Sequence, residues 1–169
     1  MAHSPIAARM YDFAPDPSLG KPALYAALAD AAAAFTDGES DPVANMANVA
    51  ALIWQFVPQL NWAGFYRMQA GELVLGPFQG RPACIRIPLG RGVCGTAAAL
   101  AATQLVLDVR EFAGHIACDA ASQSELVVPV LRDGAVIAVI DLDSPLPARF
   151  DADDAQGLER LAVCISQAI

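Results

Sequence analysis

The chain has 169 residues and a formal net charge of −8. This acidic balance argues against nucleic acid and anionic membrane surfaces as main partners, because both require clustered Lys and Arg. Hydrophobic residues make up 56% of the chain, but its uncharged stretch at residues 43–66 contains too many Asn and Gln to predict a membrane span. We recognise no secretory signal and therefore expect a reducing, cytoplasmic compartment, where a cysteine pair is more often catalytic or metal-binding than structural.

The pattern of elements predicts one α+β domain at residues 20–169, preceded by an irregular, proline-containing segment at residues 1–19. The first helix is predicted over about residues 22–35. A second helix is predicted to begin with Asp41 as N-cap and Pro42 as its first residue.

The remaining elements are mostly strands of antiparallel type. A short helix is predicted to open at Cys94, and a closing helix near Asp151, with Asp154 three residues later in a capping-box pattern. The strands are predicted at residues 61–68, 72–78, a short stretch ending at 88, 104–109, 125–131 and 135–143, the last two joined by a hairpin turn at Asp133-Gly134.

The first candidate for chemistry is Cys118, in a run of small residues at 114–122. Backbone N–H groups of such a run can form an anion site, and His115 could lower the pKa of the thiol. Cys84 and Cys94 stand beside Gly or Pro in turns, which favours a relay in which one of them closes a disulfide on Cys118. The alternatives are a buried, inert Cys118 and small core residues at the other two positions.

The second candidate is acidic. Asp141 and Asp143 alternate on one strand, so both are predicted to project to one face, which Ile137 and Val139 share further back. Two such carboxylates could bind an ammonium group, or crowding could keep one of them protonated as a general acid. Glu125 begins the neighbouring strand and could complete a trio. Ordinary polar residues at a strand end are the alternative.

The hairpin register decides whether this trio can exist. A two-residue turn at Asp133-Gly134, carried back, pairs Glu125 with Leu142 and places the glutamate on the wrong face. A trio therefore requires a shift by one residue, for which Pro129 is a plausible place, since it cannot donate to a ladder.

Trp62 and Tyr66 share one face of the first predicted strand. They could wall a small pocket or simply belong to the core, and Tyr66 is the better candidate to show a polar end to a site. Cys164 lies between apolar neighbours in the closing helix and is interpreted as a packing residue.

Several stretches together resemble the free methionine-(R)-sulfoxide reductases, a branch of the GAF-domain fold. The resemblance covers about residue 20 to the C-terminus and is specific, because ordinary GAF sensor domains lack the three-cysteine set. The matching stretches are residues 61–66 (NWAGFY), 75–80 (LGPFQG), 87–96 (IPLGRGVCGT), 114–122 (GHIACDAAS) and 141–144 (DLDS).

This resemblance implies a six-stranded antiparallel sheet flanked by helices, often in a homodimer. It implies reduction of the R-epimer of free methionine sulfoxide without metal or organic cofactor, with thioredoxin restoring the enzyme. By the same resemblance Cys118 matches the attacking thiol, Cys84 its main resolving partner and Cys94 an auxiliary thiol. The substrate pocket is matched by Trp62, Tyr66, Glu125, Asp141 and Asp143.

In this interpretation the acidic trio neutralises the substrate ammonium, and backbone N–H groups around Ile116, Ala117 and Cys118 hold its carboxylate. Asp143 is the first candidate to deliver a proton to the departing oxygen.

Two rival hypotheses remain from the sequence. One is a GAF sensor that binds a small ligand without turnover. The other is a metal site built from Cys84, Cys94, His115 and Cys118, although nine residues separate the first two, which therefore lack the close cysteine pair of a zinc knuckle.

Overall fold

The computed structural model describes residues 14–114 and 119–169. A short 3₁₀ turn spans Val109–Glu111. The other elements, in chain order, are α1 (Lys21–Thr36), α2 (Pro42–Phe56), β1 (Trp62–Gln69), β2 (Glu72–Gly80), β3 (Arg86–Pro88), α3 (Gly92–Leu100), β4 (Gln104–Val106), β5 (Ser124–Arg132), β6 (Ala135–Ser144) and α4 (Ala152–Ile165).

The strands form one antiparallel sheet in the order β3-β2-β1-β6-β5-β4. Side chains alternate along β1, so Ala63 and Phe65 pack in the larger core with α1, α2 and α4. Trp62 and Tyr66 point to the opposite face, where α3 covers a smaller core. The predicted α+β fold with a six-stranded antiparallel sheet is therefore confirmed.

The caps predicted for two helices are present. The Asp41 side chain accepts hydrogen bonds from the backbone N–H groups of Val43 and Ala44 at the start of α2. At the start of α4, Asp151 and Asp154 form a reciprocal capping box. These polar side chains satisfy N–H groups that have no partner within the helix, so they fix where each helix begins.

The hairpin of β5 and β6 contains the register shift on which the acidic trio depends. The shift lies between Val130 and Leu131, and beyond it Glu125 is paired with Asp143. The requirement for a one-residue shift is confirmed. The prediction that the shift lies at Pro129 was wrong, because Pro129 pairs regularly with Val139. The missing N–H of this proline therefore does not require a bulge at its position.

The same shift changes the orientation of Ile137. Val136 packs with the core under α3, whereas Ile137 packs with the larger helical core on the other face. The prediction that Ile137 shares a face with Val139 was therefore wrong, because the extra residue of the bulge turns one side chain over.

The strand predicted over residues 104–109 is shorter than expected and ends at Val106. Asp108 is the reason, because its carboxylate accepts a hydrogen bond from the backbone N–H of Arg110 at 2.9 Å and starts the 3₁₀ turn. The local side-chain bond competes with continued strand pairing.

The helix predicted to open at Cys94 begins two residues earlier, at Gly92. The backbone N–H of Gly95 bonds to the carbonyl of Arg91 at 3.1 Å, which already closes the first helical turn. Cys94 therefore lies inside the helix, with its side chain directed to the sheet.

Cys164 is exposed on α4, so its interpretation as a buried packing residue was wrong. It lies one position before the buried Ile165, which turns its side chain to the edge of the helix, and its sulfur lies 3.7 Å from the carbonyl oxygen of Ala29.

Residues 14–20 precede α1 without a helix or strand. The division between a segment at residues 1–19 and a domain from residue 20 stays a prediction. Within the two described ranges, no helix is long and apolar enough to cross a bilayer.

Candidate active site

Three acidic side chains converge where β1, β6 and β5 lie side by side. Asp143 on β6 is paired with Trp62 on one side and with Glu125 on the other. Asp141 lies two residues before Asp143 on β6, opposite Gly64. Paired residues of an antiparallel sheet share a face, so all three carboxyl groups point toward α3. Glu125 and Asp141 are each only 6% exposed.

Cys94 covers this acidic group from α3. Its sulfur lies 4.0 Å from Oε1 of Glu125, and one ligand atom from each of Cys94, Glu125 and Asp141 lies within 4.8 Å of the others. Gly95 allows the start of α3 to pack against the end of β3, because a Cβ there would collide with the carbonyl oxygen of Pro88.

Burial dominates the electrostatics of the group. It raises the pKa of Asp141 to about 7, against the opposing effect of hydrogen bonds with Cys94 and Glu125. Burial, and then repulsion by Asp141, raise the pKa values of Glu125 and Asp143 well above the ordinary range. The same two causes raise the pKa of the Cys94 thiol. Without a bound cation, the group therefore retains protons near neutral pH, and Cys94 is a thiol rather than a thiolate.

Aromatic rings line up beside the acids on β1. Trp62 stacks on Tyr66 with 5.8 Å between ring centroids and on Phe78 with 5.3 Å. Tyr66 is 1% exposed and lines the same cavity as the three acids. Among the described residues that line this cavity, Trp62 is absent. Nε1 of Trp62 instead donates to the carbonyl oxygen of Arg81 at 3.1 Å. Of the two, Tyr66 is the one in contact with the cavity, as its polar end suggested.

The cysteines differ in state. Cys84, just before β3, is half-buried and disulfide-bonded, whereas Cys94 and Cys164 are free. The remaining predicted site residues lie outside the described part of the chain; these are His115, Ile116, Ala117 and Cys118.

A polar network that we did not predict holds the chain directly after residue 118. Nδ2 of Asn61 donates to Oδ2 of Asp119 at 3.2 Å and to Oγ of Ser122 at 3.0 Å. The backbone N–H of Ala121 donates to Oδ1 of Asp119 at 2.9 Å and is the main cause that lowers the pKa of this carboxyl. Arg81 adds an ion pair to the same oxygen at 3.8 Å. The network ties this segment to the start of β1 and to the chain leading to Cys84.

Asp119, Ser122 and Arg91 also line the cavity beside the acidic trio. Their sequence signals were present, since the first two lie in the run of small residues and Arg91 lies in the Gly90-Arg91-Gly92 turn. Sequence reasoning missed them because an exposed-looking turn or loop residue has no periodicity that predicts its orientation.

The structure also bears on the metal hypothesis. The disulfide-bonded Cys84 offers no thiolate to a metal ion. Among the described residues, the group that could ligate a metal is Cys94, Glu125 and Asp141. A metal there would have to displace the protons that the raised pKa values retain.

Comparisons with known proteins agree with this architecture. A GAF domain family model matches residues 43–169. The chain is 46% identical over 151 residues to the free methionine-R-sulfoxide reductase of Escherichia coli strain K12, which covers 89% of this chain and 92% of that relative. A solved structure of the free methionine-R-sulfoxide reductase from Neisseria meningitidis, in complex with its substrate, has 42% identity and a TM-score of 0.88, covering 94% of this chain and 95% of that chain.

A solved structure described as a putative GAF sensor protein from Burkholderia vietnamiensis has 53% identity and a TM-score of 0.85, covering 89% of this chain and 96% of that chain. The fold is the one that the sequence resemblance implied. The chain therefore belongs to the GAF-domain family and, within it, to the free methionine-R-sulfoxide reductases, a family of enzymes.

Proposed function

We propose that this protein reduces the R-epimer of free methionine sulfoxide to methionine, with Cys118 as the attacking thiol and thioredoxin as the reductant. The observation that carries the proposal is the trio of Glu125, Asp141 and Asp143 around one small cavity, with the first two buried and Asp143 half-buried. Repelling carboxyls with raised pKa values form a site that a cation stabilises, and free methionine sulfoxide carries an ammonium group.

The trio explains a preference for the free amino acid. Binding of an ammonium group favours the ionised carboxylates and releases the protons that they retain in its absence. A peptide-bound methionine sulfoxide lacks this charge and would leave the carboxyls without a partner. For the substrate carboxylate we propose backbone N–H groups around Ile116 and Ala117, with Trp62 and Tyr66 beside the side chain.

In the proposed chemistry the Cys118 thiolate attacks the sulfoxide sulfur while Asp143 protonates the oxygen. This attack forms a bond between the two sulfur atoms. The hydroxyl group then moves from the substrate sulfur to the sulfur of Cys118 as that bond breaks, so methionine leaves with two more electrons than the sulfoxide had and Cys118 becomes a sulfenic acid. The raised pKa of Asp143 supports its role as the donor, because a carboxyl must be protonated near neutral pH to give a proton.

We propose that Cys84 attacks the sulfenic acid, forming a disulfide and releasing water, and that thioredoxin then reduces this disulfide by thiol exchange. The disulfide-bonded state of Cys84 supports this role. The raised pKa of Cys94 makes its thiol a poor nucleophile and supports an auxiliary role. The cytoplasmic location and the homodimer stay predictions.

A single-turnover experiment tests these roles. The reduced protein is mixed with free methionine-(R)-sulfoxide without reductant, and released methionine is measured together with dimedone trapping of sulfenic acid. We expect roughly one methionine per chain for Cys84→Ser, with a trapped sulfenic acid, since attack precedes resolution. We expect none for Cys118→Ser. Cys164→Ser is the matched control and should behave as the wild type; methionine release by Cys118→Ser would contradict the assignment.

A further inference from the structure

The inner end of the acidic cavity contains a thiol as well as carboxyl groups. Cys94 on α3, Glu125 on β5 and Asp141 on β6 are buried and line this cavity together. One ligand atom from each lies within 4.8 Å of the other two. A neutral thiol is only a weak hydrogen-bond acceptor, so Cys94 adds little to the binding of an ammonium group. Its place among the acids therefore points to a second kind of ligand.

Asp141 has an oxygen that the described chain leaves unused. The residue is 6% exposed, and its Oδ1 accepts no hydrogen bond from any described residue. Buried polar atoms are normally paired, so this oxygen indicates a missing partner. It has almost no surface accessible to water, but a metal ion does not need such surface, because zinc–oxygen bonds are only about 2.0–2.2 Å long. An ion therefore fits between ligand atoms that are too close together to admit a water molecule.

The cavity has room for one ion and opens to solvent. Its volume is about 30 Å³, whereas one water molecule requires about 10–15 Å³. Its lining also includes the half-buried Asp119 and Asp143 and the exposed Arg91, which mark where it opens. An ion can therefore enter past these residues and reach the buried thiol and carboxyl groups.

The donor set distinguishes between metals. One thiolate with carboxylate oxygens suits Zn²⁺, whereas Mg²⁺ and Ca²⁺ take oxygen ligands alone. Zinc bonds of about 2.0–2.3 Å in tetrahedral geometry place neighbouring ligand atoms about 3.5 Å apart. The Cys94 sulfur lies 4.0 Å from Oε1 of Glu125, so these two atoms need only a small movement toward each other. Asp143, which lines the same cavity, or a water molecule would fill the fourth position.

We propose that Cys94, Glu125 and Asp141 bind one Zn²⁺ ion, with Cys94 as a thiolate. The ion brings two positive charges to side chains that repel one another when ionised, and the protons that they lose pass to solvent. Because the same carboxyls are proposed to hold the substrate ammonium group, we expect Zn²⁺ to exclude the substrate. This inhibition rests on the proposed function, whereas the metal site does not.

Titration with Co²⁺ tests the metal site, because this ion takes zinc positions and its bond to a thiolate absorbs in the near ultraviolet. The protein is the full chain without an affinity tag and with the disulfide of Cys84 formed, so that Cys94 and Cys164 are the free cysteines among the described residues. We expect one Co²⁺ per chain with thiolate absorption. Zn²⁺ should then displace it, because such donors bind Zn²⁺ more tightly than Co²⁺.

Two variants and one control decide which residues hold the ion. Cys94→Ser should remove the thiolate absorption and weaken Zn²⁺ binding by about tenfold or more, because one of three ligands is lost. Asp141→Asn keeps the thiol and should weaken binding similarly, and it decides the question if urea unfolding shows that Cys94→Ser is not folded. Cys164→Ser, at an exposed cysteine outside the cavity, is the matched control and should bind as the wild type. No thiolate absorption in the wild type, or equal binding by the wild type and the folded variants, would overturn the site.

Single-turnover methionine release by the reduced protein tests the inhibition. Zn²⁺ at about ten times its dissociation constant should slow release about tenfold at low substrate concentration, because about one site in ten stays free, and EDTA should reverse the effect. Cys94→Ser, compared with its own zinc-free rate, should require about tenfold more Zn²⁺ for the same effect. Equal sensitivity of the two proteins would overturn inhibition through this site. Absence of methionine release without Zn²⁺ would refute the proposed reductase, and the Co²⁺ titration would still decide the metal site.

Discussion

Glu125 on β5 lies directly opposite Asp143 on β6, although like charges in this position repel each other. The bulge between Val130 and Leu131 creates this pairing, since without it Glu125 would face the helical core. The fold thus places acids together at a cost in stability, which is typical of a binding or catalytic site.

This cost predicts an unusual pH dependence of stability. The ordinary pKa of Asp141 is 3.8 and burial raises it to about 7 in the folded protein. Between these values the folded state binds more protons than the unfolded chain, so the free energy of unfolding falls as the pH rises through this window. We expect Asp141→Asn, which stays neutral, to be more stable than the wild type at about pH 8, by up to about 4 kcal/mol at roughly 1.4 kcal/mol per pKa unit.

Urea unfolding of the reduced, substrate-free protein at about pH 5 and about pH 8 measures this effect. Asp133→Asn in the exposed hairpin turn is the matched control and should retain the wild-type slope. An identical pH slope for Asp141→Asn and the wild type would show that Asp141 does not retain its proton.

The second prediction concerns proton delivery by Asp143. We expect Asp143→Asn to lower kcat by about a hundredfold or more, because an amide cannot give a proton to the departing oxygen. Steady-state methionine release with a saturating substrate measures this, with Asp133→Asn again as the control. Unchanged turnover would remove Asp143 from the role.

The third prediction concerns Gly64, which lies opposite Asp141 on β1. A Cβ at this position would lie 2.8 Å from both the Cα of Phe78 and the carbonyl oxygen of Pro77. We expect Gly64→Ala to destabilise the protein by about 1–3 kcal/mol, as overpacking does in a buried sheet. Thermal and urea unfolding would show this. Gly20→Ala is the control, because no atom lies within 4 Å of its added Cβ, and an equal loss of stability in both variants would contradict the argument.

The fourth prediction concerns Asn61, which holds Asp119 and Ser122. Because Asp119 directly follows Cys118 in the chain, we expect Asn61→Ala to disturb the position of the thiol and to lower kcat/KM by about tenfold or more. The rate of disulfide closure after one turnover should fall as well, which a purely structural role would not require. Asn48→Ala on the exposed side of α2 is the control, and wild-type closure in Asn61→Ala would exclude the positioning role.

Local signals predicted much of this fold. Asp41 with Pro42, and Asp151 with Asp154, place both helix starts because a cap is a local interaction. The alternation of side chains along β1 predicted which residues lie on each face of the sheet, because this alternation is also a local property of the chain. The position of the bulge after Val130 was not predictable, because the turn residues alone do not determine where a neighbouring ladder takes an extra residue.

The candidate site was predictable only in part. Glu125, Asp141 and Asp143 were found because two of them alternate on one strand and the third starts its neighbour. The contacts of Asn61 with the segment after residue 118 join positions far apart in the chain, and no periodic pattern predicts them.

The measurement that tests the central claim most directly is methionine release from free methionine-(R)-sulfoxide with thioredoxin and its reductase. It is run beside the S-epimer and a peptide-bound sulfoxide. The proposal predicts turnover of the free R-epimer alone, because the acidic trio requires the free ammonium group. No turnover by protein whose cysteines are shown to be reduced would contradict the proposal and favour a ligand-binding GAF sensor.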